Sequence, residues 1–336
     1  MSTNPNIIHG LGKAGQVASY AEVEQLVFAF EAVLDRFGIP IQSGSELEGA
    51  CCSVLEVLGK IQNAHICDPR EDIRRVFTEV LGIWSFLKKI VRLEGHACFS
   101  QFVPHLALLN KGPVVQNKRA TVCQEATNKI FELLFALVLL DVSDEVILDH
   151  PSSAKGDNPD VLATIDGQCW GFACKTIYSA SGKTFYDNLK KGVEQIEAAP
   201  KAQLGIVVMN LRNTISHEAC WPILNEAEYR NGAEPIFAAY ERPEEFVASH
   251  ILEAVRQKHN QVVAEIGSLN VMNLFAGKKA LPAFLAFCQT CTGKVKALGP
   301  IPMSITMLSV GAFDDVQAHQ GVFDKINLAL HERLQQ

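Results

Sequence analysis

The sequence predicts an α/β protein in which a mixed β-sheet is flanked by helices, with an all-helical region ahead of it. Three observations lead there. Over the first ~115 positions, apolar residues recur at three- and four-residue intervals without strand-like alternation. From residue 116 onward, helical runs interleave with short apolar segments bounded by turn residues. One of those segments, LGIVVMN at 204–210, is apolar on both faces, as expected of a central strand covered on each side. The expected organisation is a helical bundle over 1–115 and an α/β domain over 116–336.

Taken in order, the first helix spans Tyr20–Arg36 and stops at Gly38 and Pro40, and the second begins near Ser45. A third opens with Asp68 as cap and Pro69 at the first helical position, where its missing N–H costs nothing. Its apolar stripe includes Ile73, Val76, Val80, Trp84 and Leu87. A shorter helix at Phe99–Leu109 ends before Gly112-Pro113. A long helix over Arg119–Leu140 leads to a strand at Glu145–Asp149, then to paired strands at 160–166 and 169–177 joined by an Asp166-Gly167 turn. A helix at 184–199 and the 204–210 strand follow. The pattern closes with a helix at 243–265, strands at 282–289 and 303–310, and a last helix at 315–334.

The chain has 336 residues, 48% of them hydrophobic and 20% charged, the balance of a globular protein with a buried core. The opening MSTNPNIIHGLGKAGQ lacks the apolar stretch of a secretory signal, and IFELLFALVLL at 130–140 is too short to span a bilayer. The expected location is therefore cytoplasmic, with no membrane partner. The ten cysteines are then read as reduced thiols. Cys288 and Cys291 form an isolated C-x-x-C pair, short of the four ligands of structural zinc. A net charge of −7 confines any phosphate-binding surface to local patches. The candidates are Lys183, Lys190 and Lys191, with Lys118 and Arg119. His150, His217 and Cys220 show no nucleophile–base–orienter spacing.

The segment GDNPDVLATIDGQCWGFACKTI, 156–177, carries the chemistry. It sets Asp160 at the start of one hairpin strand and Lys175 on the other. Hydrolysis of a phosphodiester uses a divalent ion to polarise phosphate and activate water, and magnesium is content with one or two carboxylates. A neighbouring lysine offsets developing negative charge. Because side chains alternate along a strand, position 173 projects with Lys175, while Phe172 and Cys174 project oppositely.

Pro159-Asp160, the hairpin turn and Lys175, within the order helix–strand–strand–strand–helix–strand over 119–210, resemble the core of the PD-(D/E)xK nuclease superfamily. The resemblance implies a restriction-endonuclease-like core, DNA as partner, and Mg2+ or Mn2+ as cofactor. The second acid of the family pattern is replaced by Ala173. Resolvase-like members place a metal-binding glutamate on the preceding helix, which points to Glu125 beside Asp160 as metal ligands, with Glu132 as the second choice. RecB-like members carry a glutamine on the following helix, matched by Gln195; Glu197 is a candidate replacement acid there. The resulting expectation is a Mg-dependent deoxyribonuclease using Asp160, Lys175, Glu125 and Gln195. The alternative is a catalytically degenerate nuclease fold that binds nucleic acid or protein, with a homodimer as a candidate assembly. Each residue also has a structural reading: Asp160 as a turn residue, Lys175 as an edge-strand lysine, Glu125 as a solvent-facing helix residue.

Overall fold

Seven strands form one mixed sheet: β1 (Ile7–Gln16), β2 (Val146–Leu148), β3 (Val161–Ile165), β4 (Gln168–Thr176), β5 (Leu204–Asn210), β6 (Ala280–Lys294) and β7 (Ile301–Ala312). Their order is β1-β7-β6-β5-β4-β3-β2. β4, β5 and β6 run parallel at the centre, and the pairs toward both edges are antiparallel. The computed structural model describes residues 7–16, 20–62, 72–120, 125–143, 145–153, 158–297 and 299–331.

The helices are α1 (Tyr20–Arg36), α2 (Glu46–Gln62), α3 (Arg74–Leu93), α4 (Val103–Leu106), α5 (Glu125–Leu139), α6 (Gly182–Ala198), α7 (His217–Cys220), α8 (Glu226–Arg230), α9 (Pro243–Ile266), α10 (Ser268–Phe275) and α11 (Gln320–Leu330). Strand alternation divides the core into two layers. On one face, Phe172, Cys174, Ile206, Leu285 and Leu308 pack beneath α3, α5 and α11, and α1 and α2 extend the same cluster. On the other, Ala173, Val207, Met209 and Phe284 meet Leu189 and Val193 of α6 and Ile251 and Val255 of α9.

Two positive-φ residues, Asp166 (53°) and Gly167 (77°), turn the β3–β4 hairpin. That backbone matches the right-handed twist of the strands it joins, and Asp-Gly adopts it readily. α6 is capped by Ser181, whose hydroxyl accepts the Thr184 N–H, and by Glu265 of α9, which accepts the N–H groups of Gly182 and Lys183. Hairpin and helix thereby fix both sides of the segment that holds Lys175.

Two expectations change. The first ~115 residues are not all helical, because β1 pairs antiparallel with β7 over Ile7–Gln16. Its glycine-rich sequence, IIHGLGKAGQ, shows no alternation from which a strand could be read. The 99–111 region is a chain of 3-10 turns around the single turn of α4 rather than one helix. Across the expected boundary at 115, α1–α3 share their apolar cluster with the sheet. The Asp68–Pro69 start signal and residues 121–124 of the expected 119–140 helix lie outside the described residues, and Arg119 and Ala120 at its expected start are not helical.

Candidate active site

Asp160 enters β3 just as β4 leaves for α6, so the hairpin brings it beside Lys175. The Lys175 ammonium lies 3.1 Å from Asp160 Oδ2 and donates to the Cys174 carbonyl at 3.0 Å. The Cys174 backbone N–H donates to the same Oδ2 at 2.6 Å. Asp160 is buried and Lys175 half-buried, and the Asp160 carbonyl accepts the Asp149 N–H, tying the site to β2. Among the described residues every hydrogen bond to this carboxylate goes to Oδ2, leaving the lone pairs of Oδ1 open.

The second carboxylate comes from α5, but it is Glu132 and not Glu125. Glu125 is the first residue of α5 and stands exposed, two helical turns from Glu132. Glu132 is buried in the apolar half of the helix. Burial and the nearby Asp160 charge push its carboxyl well above the usual range, while Lys129 and Lys175 pull the other way. Lys129, one turn earlier, holds Glu132 Oε2 at 2.8 Å. Burial alone would lower the Lys129 ammonium, but Glu132, Asp160 and Asp149 outweigh it and raise it. Burial, then Asp160 and Glu132, drive the Cys174 thiol up. His105 Nε2 sits 3.9 Å from Glu132 Oε2; burial and the Lys129 charge lower its imidazole to about 3, so it is neutral.

The other candidates fall at the margin. The Gln195 amide donates to the Asn158 carbonyl at 3.1 Å, bracing the turn that delivers Asp160, and its own oxygen is buried without a partner. Glu197 is committed elsewhere, accepting the N–H groups of Lys279 and Ala280 at the start of β6. Asp187 and Glu194 of α6 face solvent, as the helical phase requires. Ala173 lies fully buried against α6. Cys288 and Cys291, three apart on β6, belong to different apolar clusters.

Sequence reasoning missed Lys129, His105 and Asp149. The signal for Lys129 was present: a lysine three residues ahead of a glutamate in an apolar helix puts both on one face. His105 and Asp149 left none, because their proximity depends on how separate elements pack.

No family model, curated protein or solved structure matches the chain. The site is therefore read from its own chemistry. Two carboxylates, each paired with its own lysine, act on one another electrostatically, and burial with the Asp160 charge keeps the Glu132 carboxyl protonated to higher pH. No group of three or more His, Cys, Asp and Glu side chains is placed to hold a metal among the described residues. Two carboxylates meet the minimum that magnesium accepts, and Asp160 Oδ1 is open to it. A cavity of about 230 Å³ opens beside the site, bordered by Asp149, Asn158, Pro159 and Lys201. No helix among the described residues is long and apolar enough to cross a membrane.

Proposed function

We propose that the chain is a divergent metal-dependent nuclease, with a restriction-endonuclease-like core, that hydrolyses DNA phosphodiester bonds at Asp160, Lys175 and Glu132. One observation carries the reading. An aspartate and a lysine from two strands of one hairpin meet at 3.1 Å, with a helix-borne glutamate electrostatically linked to them. The elements supplying them, α5-β2-β3-β4-α6-β5, occur in the order the resemblance implies.

Bound Mg2+ or Mn2+ would polarise the scissile phosphate and lower the pKa of a water. Asp160 and Glu132 would hold it through oxygens not committed to lysine. Lys175, anchored on the Cys174 carbonyl, is set to offset charge on the phosphate. Lys129 keeps the Glu132 carboxylate oriented, and Gln195 stiffens the turn before Asp160.

A second reading, a nuclease-like fold that binds nucleic acid or protein without cleaving, is favoured by the one-to-one pairing of Lys175 with Asp160 and of Lys129 with Glu132. Ala173 in place of an acid adds to it.

Cleavage of supercoiled plasmid in Mg2+ or Mn2+ separates the two. Nicking should fall about 100-fold or more in Asp160→Ala, Lys175→Ala and Glu132→Ala, and stay unchanged in Glu125→Ala. Equal nicking by the Asp160 and Lys175 variants would remove this site from consideration. DNA retention by wild type without cleavage would leave the binding-only reading.

A further inference from the structure

A cavity of about 250 Å³ lined by several charged residues lies where the helical region meets the sheet, and none of its walls belongs to the Asp160 cluster. Arg74 and Arg75 of α3, Lys118 and Arg119 of the irregular segment before α5, and His217 and Trp221 around α7 line it. Thr290 of β6 completes it. β5 ends at Asn210 while β6 runs on to Lys294, which leaves a crevice beyond the carboxyl end of a parallel strand. Open α/β sheets bind ligands in such crevices.

The charges around this cavity are unequally satisfied. Asp72 chelates Arg74, which also donates to the Trp221 carbonyl at 2.8 Å, and Glu79 holds Lys118 at 2.8 Å. Among the described residues, the Arg75 guanidinium makes no hydrogen bond or close ion pair, though its charge reaches Glu79, and the Arg119 guanidinium has a 3.5 Å contact with the Ile215 carbonyl. Behind the wall lies Arg212, fully buried. Its Nε donates to the Lys118 carbonyl at 2.8 Å and its Nη1 to Gln116 at 3.3 Å, while Nη2 has no acceptor. Among the described residues no carboxylate hydrogen-bonds to it. A buried guanidinium without a counter-charge is costly unless something offsets it. The Trp221 indole N–H is also buried without an acceptor. His217 is held by Thr290 at 3.0 Å and the Arg212 carbonyl at 2.8 Å, so both ring nitrogens are engaged and it serves as a fixed wall.

We propose that this cavity binds a small phosphate ester, its anionic oxygens taken by Arg75, Arg119 and the Trp221 indole N–H. Guanidinium groups match phosphate geometry, and among the described residues no carboxylate hydrogen-bonds to Arg75 or Arg119. The volume equals that of about eight waters at ~30 Å³ each, more than a bare phosphate fills, so the ligand carries an organic part. Asp72, Glu79 and Glu218 on the same walls repel a polyanionic strand and favour a compact ligand.

Titration calorimetry on the full chain tests this, with AMP and ribose 5-phosphate as probes and adenosine and inorganic phosphate as controls. At least one ester should bind and adenosine should not. The double variant Arg75→Ala/Arg119→Ala should weaken the ester about tenfold or more. Trp221→Phe, which keeps an aromatic ring and loses the indole N–H, should weaken it several-fold. Asp160→Ala should bind as wild type does, which separates this site from the hydrolytic one. The proposal is overturned if neither ester binds at about 1 mM, if inorganic phosphate binds as tightly as the esters, or if the arginine variant binds normally. It is also overturned if Asp160→Ala loses the ester.

Discussion

Ala173 sits where the family pattern carries an acid, and its surroundings show why none fits. It is fully buried, and α6 crosses it at Gly192, where a Cβ would stand 3.3 Å from the Ala173 methyl. A longer side chain would have to push α6 off the sheet, at roughly 1–3 kcal/mol for overpacking. A carboxylate there would also find no cation, because Lys175 is already turned to Asp160 and Lys129 to Glu132. Ala173→Glu is therefore expected to lower the urea midpoint and to give no gain in metal-dependent nicking. A variant of wild-type stability that cleaves faster would overturn this account. At this scale the sequence was legible in part. Strand alternation placed Ala173 on the face opposite Phe172 and Cys174. On the preceding helix the sequence reading ranked Glu125 ahead of Glu132, two residues that share a helix face and differ only by about 10 Å along the axis.

The contact between α6 and the sheet is an element-scale constraint that centres on Gly192. Glycine inside a helix costs up to about 1 kcal/mol relative to alanine, so propensity favours Gly192→Ala. Packing opposes it: the added methyl would lie 2.8 Å from both methyl carbons of Val207. Val207 cannot retreat, because β5 is hydrogen-bonded to β4 and β6. Packing should win, with a net loss of about 1–2 kcal/mol in urea unfolding. Gly321→Ala in α11, where a Cβ would meet nothing within 4 Å, serves as the control and should gain a few tenths of a kcal/mol. Equal gains in both variants would show that α6 packs loosely. Elements with strong local signals were readable, among them the Asp166-Gly167 hairpin and the two-faced β5. β1 was not, since its pairing with β7 joins residues some three hundred positions apart and leaves no local mark.

At the scale of the whole molecule, the question is whether the helical region could stand apart from the sheet. Composition changes near residue 115 and invites a domain boundary there, yet α3 runs across β6 and β7 and packs beside α5. Val80, Ile83, Phe86, Leu87 and Ile90 of α3 are buried in the cluster that holds Leu285, Phe287, Leu308 and Val310 of the sheet. Five such side chains at about 1.5–3 kcal/mol each already rival the total stability of about 5–15 kcal/mol expected of a folded protein. Removing residues 1–115 would expose that sheet face, so the remaining chain should not fold. In the full chain, the two regions should unfold together. Trp84 reports on α3 once Trp170 and Trp221 are replaced by phenylalanine, because the chain has only three tryptophans. Its fluorescence transition in urea should coincide with the loss of far-ultraviolet circular dichroism. Two separated transitions, or a soluble 116–336 fragment with a cooperative melt, would show that the helical region is an independent unit. The cavity beneath Arg75 and Trp221 would then lie between two separable bodies rather than inside one.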